Sequence, residues 1–191
     1  MLNSRKRWLY NWFVSFLPGG KALAIKRFFL RRCGVFVAND CCIEGNAKFY
    51  GNGKIILEEG VILRGDIRLE VIDSNGAIHL KDHSEVNHGS YLAANGGSTL
   101  TVGRYTRIAH FCSLKTTYHS IDIHGPCIAG DVKHGDIAIG DGCWLCAGVV
   151  IIPSVTIGNR VVVAAGATVI NNIPDCSLVA GTPGIIKKRY S

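Results

Sequence analysis

Among side chains that can move a proton near neutral pH, this sequence offers seven histidines. Three of them, His119, His124 and His134, fall in one stretch between Leu114 and Ile139. Histidine suits general acid–base chemistry, because its pKa lies near neutrality and it can take a proton from a weak nucleophile such as a hydroxyl. Cysteine is the other reactive type, with eight in the chain. Cys112 lies just before this stretch and Cys127 within it, yet a thiol nucleophile needs an activating partner, and the sequence identifies none. The pair Cys143 and Cys146, in CWLC, has a zinc or redox spacing but no second CxxC. At 191 residues, with no secretory signal read at the N-terminus, reduced thiols are expected rather than a disulfide framework.

These groups must be held by a framework, and its period is visible. Ile139, Leu145, Ile151, Ile157, Val163 and Val169 place an aliphatic at every sixth residue. The same period recurs in triples: Val37, Ile43, Phe49; Leu57, Leu63, Leu69; Leu80, Val86, Leu92; and Val102, Ile108, Leu114. Neither a helix nor an ordinary strand repeats at six. Three short strands, each about six residues long and forming one turn of a triangular parallel solenoid, do. Every aliphatic would then point inward and stack on its counterparts. Interruptions such as YGNGK, DSNGA and ANGGST read as loops at the corners. The longest interruption, residues 115–138, carries the three histidines and is the natural place for function.

The formal charge of +7 is unevenly spread. Residues 1–32 hold eight Lys or Arg and no acid, and Lys187, Lys188 and Arg189 add three more near the C-terminus. Between the ends, ten basic residues face fourteen acidic ones, so no stripe for nucleic acid emerges. In the first segment Trp8, Leu9, Trp12, Phe13, Phe16 and Leu17 share one helical face, Pro18-Gly19-Gly20 breaks the helix, and Ala22, Ile25 and Phe29 begin a second. The apolar run is too short to span a bilayer. Aromatics beside Lys and Arg suit a helix lying in an anionic membrane interface, so residues 5–32 are expected at a membrane surface; the alternative is a helical pair packed on the main domain or a partner. Residues 1–34 are accordingly separated from a solenoid domain at 35–191.

The phrases IGDGCW, IIPSVTIGNRVVVAAGATV and VAGTPG, with TTYHSID upstream, resemble the hexapeptide-repeat acyltransferases. The nearest branch is that of the maltose, galactoside, xenobiotic and polysaccharide O-acetyltransferases, and the match runs over about residues 37–189. The resemblance implies an all-β left-handed parallel β-helix, a homotrimer with sites between subunits, and acetyl-CoA as donor. It implies His119 as general base and Asn87 as a residue that contacts substrate and helps hold the oxyanion. Asp122 is taken to orient the imidazole or meet the acceptor, and Trp144 to line the pocket. For acetyl-CoA, the small residues Ala147, Gly148, Ala165 and Gly166 would admit the pantetheine arm, while Lys187 and Lys188 would meet phosphates. Gly184-Ile185 stands where relatives commonly show Ala-Lys.

The expected function is O-acetylation of a sugar hydroxyl, on a surface polysaccharide or its lipid-linked precursor, by a cytoplasmic enzyme peripheral to the inner membrane face. N-acetylation of an amino sugar is the nearest competitor, because the same base serves an amine. Two other classes remain: a non-catalytic trimeric scaffold, and a zinc enzyme of the hexapeptide carbonic anhydrase type, faintly resembled by LRGDIR with His88 and His110. In that type a second histidine follows after five residues, and here Lys115 stands at that place, so no metal is expected.

Overall fold

The structure, a computed structural model, describes residues 2–14, 23–121, 124–125 and 130–190. Two helices, α1 (Leu2–Val14) and α2 (Leu23–Arg32), precede a stack of short strands. The first coil is β1 (Val35–Val37), β2 (Cys42–Ile43) and β3 (Lys48–Gly51), and the second is β4 (Lys54–Leu57), β5 (Ile62–Leu63) and β6 (Arg68–Val71). The third is β7 (Ala77–Leu80), β8 (Glu85–Val86) and β9 (Tyr91–Ala93), and the fourth β10 (Thr99–Val102), β11 (Arg107–Ile108) and β12 (Ser113–Lys115). A hairpin of β13 (Thr117–His119) and β14 (Val132–His134) then leaves the stack. The fifth coil is β15 (Ile137–Ile139), β16 (Trp144–Leu145) and β17 (Val150–Ile151), and the sixth β18 (Thr156–Ile157), β19 (Val162–Val163) and β20 (Thr168–Val169). Finally β21 (Ser177–Ala180) adds to the stack and β22 (Ile185–Arg189) returns antiparallel to it.

The first strands of the coils form sheet A, the second strands sheet B and the third strands sheet C. All pairings between coils are parallel and in register along the aliphatic ladders. Val37, Leu57, Leu80, Val102, Ile139 and Ile157 are successive partners in sheet A. Ile43, Leu63, Val86, Ile108, Leu145 and Val163 do the same in sheet B. Phe49, Leu69, Leu92, Leu114, Ile151 and Val169 complete sheet C. All eighteen are buried, so the period of six is one side of a triangle. A one-residue slip would expose a whole ladder, which pins the register.

The strands are shorter than six residues, because each side spends the remainder on its corner. Those corners need left-handed backbone, supplied by Gly148 (φ 71°) and Gly166 (φ 68°) but elsewhere by Tyr105 and Phe111, whose rings stand outside.

The helices close the free edge of the first coil, where backbone groups have no neighbouring strand. Arg7 is buried and donates to the carbonyls of Cys33, Gly34, Tyr50, Gly51 and Gly53. Asn11 brackets Phe49, donating to its carbonyl and accepting from its N–H. Lys26 donates to Gly45, Arg27 to Asn39 and Cys41, and Arg31 to Val37. Half of the eight N-terminal cations therefore cap the solenoid. The helices do pack on the main body, but through this polar face, while Trp8, Leu9, Trp12 and Phe13 remain exposed. Phe16, Leu17, the Pro18-Gly19-Gly20 break and Ala22 lie outside the described residues.

Candidate functional site

In the excursion between coils four and five, the described residues nearest the solenoid pair as a hairpin. Its register pairs Thr117 with His134, Tyr118 with Lys133 and His119 with Val132. Its root is tied down by Thr116, a fully buried residue whose hydroxyl donates to the Asn95 carbonyl and accepts from the Asn95 N–H. The Gly135 N–H donates to the Thr116 carbonyl, so both ends of the excursion meet at one residue. Further out, the N–H and hydroxyl of Ser120 both donate to the Asp131 carbonyl. A groove of about 550 Å³ lies between the hairpin and sheet C, lined by Ser113, Lys115, Thr117, Tyr118, Val150 and Ile152. Thr117 and Tyr118 both line that groove, and His119, the next residue along the strand, is exposed. Asp122 and Cys127 lie outside the described residues.

Asn87 occupies a different edge of the prism. It stands half-buried where sheet B turns into sheet C on the third coil, its side-chain amide donating to the Ile108 carbonyl at 3.0 Å. The small residues assigned to the donor stack above it at the same corner. The Gly148 N–H donates to His110, and the Gly166 N–H to Ala147, so the corners of coils four, five and six follow one another. Ala147, Ala165 and Gly166 are exposed, and a Cβ added at Gly166 would meet nothing within 4 Å. That corner presents bare backbone to whatever approaches it.

Trp144 lies on the outer face of sheet B, 55% exposed, between Arg107 and Val162 of the adjacent coils. Lys187 and Lys188 are exposed on β22, the outermost strand of that sheet, and the Lys188 ammonium sits over the Tyr190 ring at 5.0 Å. Sheet B and the B–C corner thus carry all of the predicted residues that are described except His119. His119 is separated from Asn87 by the full width of sheet C: the residue that stacks on Asn87 in the fourth coil is Ala109, ten residues before His119.

Two of the cysteines near the hairpin and in CWLC are packed into the solenoid. Cys112 and Cys143 are buried, their thiols pushed up by burial and donating to the carbonyls of Cys146 and Gly158. His88 and His110 occupy one corner on successive coils, with His88 Nδ1 accepting from the Asp66 N–H. Among the described residues no three His, Cys, Asp or Glu side chains converge as a metal site.

Residues 136–171 match the bacterial transferase hexapeptide (six repeats) family. Over 175 residues the chain is 29% identical to a putative lipopolysaccharide biosynthesis O-acetyl transferase, WbbJ, of Escherichia coli, covering 87% of this chain and 84% of that protein. The chain thus carries the hexapeptide repeat of bacterial transferases and resembles a named acetyltransferase along most of its length. A putative acetyltransferase of Saccharomyces cerevisiae, YJL218W, is 34% identical over 58% of this chain and 55% of its own length. In structure the chain is similar to a maltose O-acetyltransferase from Clostridium difficile, at TM-score 0.73 and 20% identity over 99% of this chain and 87% of that one. The shared fold is the left-handed parallel β-helix.

Two features of this acyltransferase were not anticipated from its sequence. One is the Asn95–Thr116 root of the hairpin. The other is a polar cluster outside sheet C, where buried Glu70 accepts from Arg68, Tyr91 at 2.9 Å and Asn95 at 3.2 Å. Arg68 lies over the rings of Tyr50 and Tyr91, at 4.6 and 5.0 Å. The usable signal was period two: Arg68 and Glu70 flank inward Leu69, as Ser113 and Lys115 flank Leu114.

Proposed function

We propose that this acyltransferase moves an acetyl group from acetyl-CoA to a sugar hydroxyl, on a surface polysaccharide or its lipid-linked precursor. The single observation that carries the reading is the hairpin. It is a long departure from a regular solenoid, it is anchored at a buried threonine, and it holds His119 in the open. His119 takes the hydroxyl proton as the oxygen attacks the thioester carbonyl, and the coenzyme thiolate leaves. Asn87 and backbone N–H groups stabilise the oxyanion, Asp122 orients the imidazole or meets the acceptor, and Trp144 lines the pocket. The exposed corner at Ala147, Gly148, Ala165 and Gly166 receives the pantetheine arm, and Lys187 and Lys188 meet phosphates. This is direct transfer in a ternary complex, without an acyl-cysteine; the burial of Cys112 and its raised thiol pKa support that view.

A sheet-wide gap between His119 and Asn87 is bridged if the chain forms a cyclic homotrimer. The hairpin edge of one copy then faces the B–C corner of the next, and each site draws on two subunits. The names of relatives favour a glycan acceptor: WbbJ is described for lipopolysaccharide, and a second Escherichia coli relative, WcaF, for colanic acid biosynthesis. An acceptor carried on a lipid would place the enzyme on the inner face of the cytoplasmic membrane, where acetyl-CoA is available. The test is thiol release from acetyl-CoA with sugar acceptors and lipid-linked glycan extracts, followed by mass spectrometry. Acceptor-dependent release, lost in His119→Ala, with an acetyl group on a hydroxyl, is the expected result. Acetylation of an amine would favour the amino-sugar reading, and activity retained in the variant would remove His119 as base.

A further inference from the structure

The two N-terminal helices are amphipathic in the inverted sense. On α1 the face turned to the solenoid is Arg7, Tyr10 and Asn11, whereas Trp8 (64% exposed), Leu9, Trp12 and Phe13 face outward. On α2 Lys26 and Leu30 are buried, and Ile25, Phe28 and Phe29 are exposed. The apolar side chains form one patch. Leu9 is shared by a groove with Trp8 and by a second, of about 460 Å³, with Phe13 and Phe29. Phe13 and Phe29 meet at 5.1 Å, and Phe29 and Phe28 at 5.6 Å. A contiguous exposed patch of this kind marks an interaction site, because the capping work of the helices is done by their other face.

The charges around the patch decide what covers it. Arg7, Lys26, Arg27 and Arg31 are committed to carbonyls of the first coils. Arg5 and Lys6 line the two grooves, and Arg32 lies over the Phe28 ring at 4.8 Å. No acidic residue occurs in residues 1–32. A second copy meeting this face would set like charges against each other around the apolar contact. An anionic surface with an apolar interior satisfies both the aromatics and the cations. We infer that the outward face of α1 and α2, centred on Trp8, Leu9, Phe28 and Phe29 with Arg5, Lys6 and Arg32 around it, docks on anionic lipid bilayers and stands the solenoid upright on the membrane.

The docking geometry sets the height of the hairpin. The cap covers the first coil, and the hairpin leaves after the fourth, three inter-strand spacings further along the axis. At about 4.8 Å per spacing, the transfer hairpin stands about 14 Å above the capped coil. That height fits an acceptor group extended away from the bilayer. This consequence deepens the proposed function and rests on it; the docking itself does not.

Sedimentation of the full-length protein with vesicles tests the inference without any substrate. Vesicles of phosphatidylcholine alone are compared with an equal mixture of phosphatidylcholine and phosphatidylglycerol, at low and high salt. The expected result is binding to the anionic vesicles that weakens with salt. It should fall at least tenfold in Trp8→Gln/Leu9→Gln/Phe28→Gln and in Arg5→Gln/Lys6→Gln, both with an unchanged thermal melt. Thiol release with a soluble acceptor should be unaltered in both variants. No binding by the wild-type protein, or equal binding by folded variants, would overturn the docking, as would a protein partner that masks the patch while vesicles do not. Vesicle binding by a protein that proves inactive as a transferase would overturn the function and leave the docking in place.

Discussion

His119 is exposed on a hairpin strand and makes no contribution to the buried core, so its replacement separates chemistry from stability. His119→Ala is expected to lower kcat by about 10²–10⁴, the range for loss of a general base, while the melt and acetyl-CoA affinity hold. Steady-state kinetics and isothermal titration check this. Glu70 makes the opposite kind of residue. Burial alone would push its pKa up, but bonds from Arg68, Tyr91 and Asn95 outweigh this and hold it below the ordinary carboxylate value. A lowered folded pKa means stability that is complete above the ordinary carboxylate pKa and is lost as pH falls through the lowered one. Glu70→Gln should therefore melt earlier at neutral pH, by on the order of 1–3 kcal/mol for hydrogen bonds to a charged group. The difference should vanish in acid, as thermal melts across the pH range would show. Tyr91, whose phenol is pushed up to about 12 by burial and by Glu70, stays a neutral donor throughout.

At the scale of elements, the hairpin is only as well placed as its root. Thr116→Val removes a hydroxyl that bonds both the N–H and the carbonyl of Asn95 while nearly keeping the volume. A loss of about 1–3 kcal/mol in stability is expected. Positioning is the sharper test: kcat should drop about tenfold with KM for acetyl-CoA unchanged, since even small displacements of a reacting group are costly. Thr116→Ser should restore kcat, an outcome that simple destabilisation of the coil would not reproduce. The elements also show what a sequence can reveal. The ladder residues from Val37 to Val169 were legible because a six-residue side fixes their spacing, and each is buried. His119 was legible only through the resemblance of TTYHSID. The packing of α1 was legible only in part: Arg7 and Asn11 look like solvated residues, and nothing local shows that an open coil edge needs their hydrogen bonds. Similarly, the partnership of Asn95 with Thr116 joins residues 21 apart on successive coils, a pairing set by stacking rather than by local pattern.

For the whole molecule, a triangular prism puts the residues proposed for catalysis and donor binding on separate edges. His119 stands on the edge where the hairpin leaves sheet C, whereas Asn87 and the bare corner at Gly148 and Gly166 stand where sheet B becomes sheet C. A cyclic assembly makes one site from the two edges, and it would also present three helical caps on the same side if the solenoid axes run alongside the symmetry axis. The most direct measurement is subunit complementation. His119→Ala and Asn87→Ala proteins, each inactive alone, are co-expressed, and acceptor-dependent thiol release is measured on the mixed assemblies. Random association leaves one interface in four with both residues intact, so about a quarter of wild-type activity should return. Mixed trimers that stay inactive, or a wild-type protein that sediments as an active monomer, would contradict a site built between neighbouring copies.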